Sequence, residues 1–281
     1  MPRAAPLSRA RDLLGDPEAL APHQFRLAQE LCATCRDYHA IWSYRRLSRT
    51  VSGIEATADI VEALLREATR PNGRILIAGA ADAGLLALAA QATRTLTPSI
   101  DVADRCPTPL AVCRRYAETH GLSIATVLLE FGSRPPPRRY DVVFGDCILQ
   151  FVPRQSHVEI LRNLGQAMTK GSTLVLVERL RTRTGESRAV DRGAETLKGL
   201  AAHGIELPED EPAFLQRLNR MLDAQKLRIA DYSAPSDLSS SLADAGFRVR
   251  ELGDSDRERT VTVADGGRVT MRIAIASLIG D

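Results

Sequence analysis

The chain has 281 residues, is 44% hydrophobic and 26% charged, and carries a formal net charge of +2. A near-neutral balance with scattered arginines excludes binding of nucleic acid through a basic face, and apolar runs such as 85–90 fall far short of the ~20 residues that span a bilayer, which argues against a membrane partner. The first residues hold arginines but no apolar core with a cleavage site, and five cysteines suit reduced thiols, so a cytoplasmic protein is expected.

Residues 1–70 read as helical. Asp16-Pro17-Glu18 opens a helix, with Asp16 capping and Pro17 at the first helical position. Phe25, Ala28, Leu31, Cys32, Cys35, Tyr38 and Trp42 recur at three- and four-residue spacing, which predicts one long helix with that stripe buried. Ser52-Gly53-Ile54-Glu55 fits a capping box, opening a second helix that runs to the turn Pro71-Asn72-Gly73. Short apolar strands then alternate with helices. Strands are predicted at 74–78, 99–103, 125–129, 141–145 and 173–177, and helices at 84–92, from Thr108-Pro109 to Gly121, and at 156–169. Such alternation predicts a parallel sheet with right-handed crossovers. Polar residues 180–234, helical over 211–227, read as an insertion over one end of the sheet. A helix at 236–245 capped by Gly246, a strand at 247–252, and an alternating strand through Val269, Met271, Ile273 and Ile275 close the chain, the last antiparallel to its neighbour.

Chemistry concentrates at the predicted strand ends. In ILIAGAADAGLLALA (75–89) a strand ends at Ala78, small residues turn from Gly79 to Gly84, and a helix begins with its free N–H groups aimed into the turn. Small side chains there let a ligand approach the backbone closely. Asp104 follows the next strand, at the carboxyl edge where open α/β sheets bind ligands, and is placed to accept the ribose hydroxyls of a nucleoside. A helix N-cap is the competing role for Asp104, and Thr108 fills that role better. Glu130 ends the third strand, suited to an adenine amino group, with Phe131 as an apolar contact to the ring. Asp146 ends the fourth strand and is followed by Cys147.

In order and spacing these segments resemble the class I S-adenosylmethionine (SAM)-dependent methyltransferases, over roughly 70–180 and 236–278. IAGAADAG resembles the family's first motif, Asp104 its ribose acid, Glu130 its adenine-edge acid, and GDCILQFV its motif after the fourth strand. Lys170-Gly171-Ser172 is similar to the turn before the fifth strand, and the tail to the antiparallel seventh strand. The resemblance implies an α/β, doubly wound, seven-stranded Rossmann-like sheet over 71–281, with an N-terminal helical cap (1–70) and a helical lid inserted at about 180–234. It implies SAM as cofactor, held by Gly79, Ala80, Asp104, Arg105, Glu130, Phe131, Asp146 and Cys147, and methyl transfer to a small molecule. Ala78, Ala81 and Ala83 stand where the family usually has an acid and further glycines. That departure motivates a second reading, an enzyme cyclising or cleaving the aminobutyrate part of SAM. A non-catalytic partner protein is a third, opposed by the strand-end acids.

Methyl transfer rests mostly on positioning, desolvation and removal of a proton, so its catalytic residues are the hardest to read. Tyr38-His39-Ala40-Ile41-Trp42-Ser43-Tyr44 supplies the candidates. Tyr44 lies off the buried stripe and is preferred as the aromatic facing the sulfonium, with His39 or Asp146 as base; Tyr38 and Trp42 read as the buried helix face. Cys32, Cys35 and His39 share a helix face, yet a single C-x-x-C is poor support for zinc, so no metal is expected. His157 and His203 fall in polar sequence and are expected at the surface. A small-molecule acceptor is expected and no nucleic acid, with a homodimer left open.

Overall fold

The computed structural model describes residues 17–32, 35, 37–51, 53–180, 191–226, 232, 234–252, 258–262 and 268–278. Among the described residues eight strands form one sheet: β1 (Arg74–Ala78), β2 (Ser99–Asp104), β3 (Ile124–Leu128), β4 (Tyr140–Asp146), β5 (Met168–Leu180), β6 (Phe247–Leu252), β7 (Glu258–Thr262) and β8 (Arg268–Leu278). Their order is β3-β2-β1-β4-β5-β8-β6, with β7 paired to β8 off this path. The first five strands are parallel, and β8 runs antiparallel to β5, β6 and β7. The expected seven strands become eight because β8 is long. Its 274–278 half pairs with β6, and its 268–272 half is left to pair with β7.

Nine α-helices are described: α1 (Pro17–Leu31), α2 (Tyr38–Leu47), α3 (Ala58–Ala68), α4 (Gly84–Ala92), α5 (Pro107–His120), α6 (His157–Gln166), α7 (Arg192–Ala202), α8 (Glu211–Lys226) and α9 (Pro235–Asp244). Strand alternation divides the core. Ile75, Ile77, Val142, Phe144, Val175 and Val177 face α3, α4 and α5, whereas Leu76, Val143, Leu174 and Leu176 face α6 and α9. Burial on both faces is why these strands read as continuous apolar runs. A third cluster joins α1 and α2 to α7 and α8 through Phe25, Ile41, Tyr44, Leu200, Phe214 and Leu218. No helix among the described residues is long and apolar enough to cross a membrane.

Several local expectations are corrected. The single helix over 25–42 is broken: α1 ends at Leu31 and α2 starts at Tyr38 after Asp37, whose φ of 66° is left-handed. The Asp37 carboxylate is held at 2.6 Å by Arg217 and at 2.9 Å by Arg220, both on α8, so a tertiary ion pair stabilises the break. Ser52 and Asp16 lie outside the described residues. The helix expected from Ser52 begins at Ala58, after a 3-10 turn over Ile54–Ala56, because Glu55 turns its carboxylate to Arg46 instead of back along the chain. The helix assigned to Thr108-Pro109 opens two residues earlier, with Cys106 at the N-cap and Pro107 at the first position. His157 is not at the surface but 0% exposed, bonded through Nδ1 to the Tyr232 hydroxyl at 2.8 Å; His203 is exposed.

Candidate functional site

The chain leaves β1 toward β2 and β3 and returns on the other side with β4, so a crevice opens at the carboxyl ends of β1 and β4. A cavity lies there. Among the side chains lining it are Gly79, Asp82, Asp104, Glu130, Phe131, Asp146, Ile148 and Gln150 from the sheet edge, Tyr38, His39, Trp42 and Arg46 from α2, and Met221 and Ala224 from α8.

The turn after β1 is built on Gly79, which has φ 77° and donates its N–H to the Ala103 carbonyl at 2.8 Å. A Cβ at this position would stand 2.8 Å from Ile148 Cγ2, so both conformation and space require glycine. Ala80 follows and donates its N–H to Asp104 Oδ2 at 2.9 Å, while Asp104 Oδ1 accepts from the Cys106 N–H at 2.7 Å. Asp104 therefore braces two turns at once, and the structural role at the helix start that the sequence assigned to Thr108 falls to Asp104 and Cys106 instead, while the Thr108 hydroxyl contacts Cys32. Burial raises the Asp104 pKa, opposed by His39 and by these two N–H groups. Glu130 follows β3 by two residues, its side chain 48% exposed and 3.8 Å from the Arg105 guanidinium, and Phe131 beside it is buried. Asp146 ends β4, and Cys147 after it holds φ 55°, an uncommon conformation of the kind that clusters at functional sites.

The N-terminal helices are bolted to this turn. Gln24 on α1 donates to the carbonyls of Ala81 and His39, each at 2.9 Å, and accepts from the Ser43 hydroxyl at 2.8 Å. Asp82 accepts from Trp42 Nε1 at 3.0 Å and from the Gly84 N–H at 2.7 Å, and pairs with Arg46, which also pairs with Glu55. Trp42, Arg46 and Asp82 thus lock α2 across the start of α4.

Among the proposed catalytic residues the structure reverses one assignment. Tyr44 is 1% exposed, edge-on to Phe25 at 6.1 Å and Phe214 at 5.6 Å, and lies in the helical core instead of the cavity wall. Tyr38 and Trp42, read as core, line the cavity with rings 5.5 Å apart, and Phe151 stands 5.2 Å from Tyr38. The break before α2 turns this helix and moves its stripe from the core to the cavity. Burial, reinforced by Asp82, raises the Tyr38 pKa well above its usual value.

His39 lines the cavity, and Cys32, Cys35 and Cys106 gather around it, with all four ligand atoms within 4.8 Å of one another. Burial opposes charging of His39, but hydrogen bonds to Cys106 and Cys35 raise its pKa to about 10. Its partners lower the Cys106 pKa, chiefly through Cys32, and raise that of Cys32. Sequence spacing showed Cys32, Cys35 and His39 together; Cys106 arrives only through the fold. Gln150 was also missed. It is buried at the cavity wall, and its Oε1 finds no hydrogen-bond donor among the described residues.

No family model and no curated protein matches the chain. Solved structures do. A SAM-dependent methyltransferase from Methanosarcina mazei aligns with TM-score 0.51 at 15% identity, over 78% of this chain and 98% of its own. Magnesium protoporphyrin IX methyltransferase from Synechocystis aligns with TM-score 0.52 at 15% identity with S-adenosylhomocysteine bound, covering 85% of this chain and 87% of its own. The same enzyme with SAM bound aligns with TM-score 0.51 at 13% identity, covering 83% and 81%. The chain shares the fold of these SAM-dependent methyltransferases.

Proposed function

We propose that the protein binds SAM and transfers its methyl group to a small molecule, with α1–α3 as a cap and α7–α8 as a lid over the acceptor. One observation carries this reading: Asp104 and Asp146, which end β2 and β4, and Glu130, two residues past β3, line a single cavity together with the Gly79 turn. The residues fit the cofactor. An ionised carboxylate has about four acceptor positions. Asp104 uses two of them on Ala80 and Cys106, so ribose hydroxyls can occupy the others without breaking either turn. Glu130 and Phe131 offer an acceptor and an apolar face to adenine. The acid absent at Ala78 has a counterpart in Asp82, which pairs with Arg46 as Glu55 does and brings a carboxylate beside the turn for a methionine ammonium. Gln150 Oε1 adds an uncommitted acceptor at the wall.

When bound, SAM supplies an electrophilic methyl on a sulfonium. Tyr38, Trp42 and Phe151 exclude water and present ring faces to that cation, an attraction worth ~2 kcal/mol when desolvated. Asp146, at the end of β4, is the carboxylate placed to accept a proton from the acceptor; His39 is engaged by thiols instead. Enclosure by α2 and α8 favours a small acceptor. The test is calorimetry with SAM followed by mass spectrometry of adenosyl products. S-adenosylhomocysteine formed only with an acceptor supports transfer; methylthioadenosine formed without one, or no binding at millimolar SAM, sinks it.

A further inference from the structure

We propose that Cys32, Cys35, His39 and Cys106 form a tetrahedral zinc site that ties the α1–α2 junction to the turn after β2. Three of the ligands come from one short segment, with the C-x-x-C thiols at the break and His39 on the first turn of α2. The fourth, Cys106, is the N-cap of α5. A tetrahedral site with Zn–S near 2.3 Å and Zn–N near 2.0–2.1 Å places its ligand atoms about 3.5–3.8 Å apart. Cys32 Sγ stands 3.4 Å from Cys106 Sγ and 3.5 Å from His39 Nδ1, and every pair in the set is within 4.8 Å. These are distances that a small contraction around one ion would satisfy.

Ligand type narrows the metal. Three thiols and one imidazole select zinc over magnesium or calcium, which take oxygen donors. Four protein ligands leave no open position, so the site is structural. The Thr108 hydroxyl, 2.9 Å from Cys32 Sγ, supplies a donor to the bound thiolate, as ligands of structural zinc commonly have. A disulfide is the competing chemistry, since Cys32 and Cys106 are close. It would use two of the four groups and leave Cys35 and His39 converging without purpose, whereas zinc engages all four. Binding releases the protons held among the thiols and on the His39 ring nitrogen that ligates, and the ion takes their place.

The consequence is mechanical. Cys106 lies two residues after Asp104, so the ion would fix the N-terminal helices to the same turn that carries the strand-end acid. Bound zinc would stabilise that junction as a ligand of the folded state only. This inference does not depend on methyl transfer.

The test uses the full chain purified under reducing conditions without chelator. Mass-spectrometric metal analysis is expected to find about one zinc per chain, and cobalt exchange to give the intense visible bands of a tetrahedral thiolate site. Cys106→Ser and Cys35→Ser are each expected to weaken cobalt binding roughly tenfold or more, as loss of a ligand does. Cys113→Ser, at a buried thiol outside the cluster, is expected to bind as the unaltered chain does. Should the ligand variants fail to fold by circular dichroism, cobalt titration of the unaltered chain decides alone. No zinc and no cobalt bands in the reduced chain would overturn the proposal, as would a Cys32–Cys106 disulfide in freshly prepared protein. A chain that holds zinc but ignores SAM would sink only the proposed function.

Discussion

Asp104 shows how one side chain can serve the fold and the site. Its two oxygens already accept backbone N–H groups from the β1 and β2 turns. Asp104→Asn removes the charge and one acceptor, and is expected to weaken SAM binding by ~1–3 kcal/mol, or roughly 5- to 150-fold, measured by calorimetry. Unchanged affinity would mean that the nucleoside sits elsewhere. Tyr44 and Trp42 make a sharper pair. The Tyr44 hydroxyl is buried with no hydrogen-bond partner among the described residues, so Tyr44→Phe is expected to leave turnover intact and stabilise the chain by about 1 kcal/mol in urea denaturation. Trp42→Phe loses the indole bond to Asp82 at the cavity wall and is expected to weaken SAM binding several-fold in the same calorimetry. The opposite ranking would restore Tyr44 to the site.

At the scale of elements, the strands were legible because burial on both faces leaves an uninterrupted apolar run. β1 and β6 lie where the pattern put them, and β2 differs by one residue. The helices were less legible where tertiary contacts override local signals. The apolar stripe from Phe25 to Trp42 continues through a break that the stripe alone cannot reveal, because the Asp37 carboxylate is stabilised by arginines on α8, far along the chain. The insertion after β5 packs one helix closely: a Cβ on Gly199 of α7 would stand 2.2 Å from the Ser48 carbonyl oxygen. Gly199→Ala is therefore expected to push α7 off α2 and cost ~1–3 kcal/mol in urea denaturation, with little change in SAM affinity. A neutral substitution would show that this contact yields freely.

For the whole molecule, pH-dependent stability reports on burial that sequence misjudged. His157 is enclosed by the Tyr232 hydroxyl, the Val152 carbonyl and the Arg154 guanidinium. Desolvation, helped by Arg154, lowers its pKa below the usual 6.5, so the unfolded chain binds this proton more readily than the folded one. Its stabilising contribution is complete above the unfolded pKa and is lost as pH falls through the folded one. The unaltered chain is expected to lose more stability between pH 7 and pH 5 than His157→Gln does, compared by urea midpoints; equal losses would mean that His157 titrates as in the unfolded chain. Alone, the sequence determined the parallel sheet and the acids at its carboxyl edge, because strand burial and strand ends are local properties of short runs, 5–7 residues in β1 to β4. Only the tertiary structure decided which aromatics face the cavity and that Cys106 joins Cys32, Cys35 and His39. Both depend on where a helix breaks and on two segments meeting across the fold, and neither contact leaves a periodic trace in the chain.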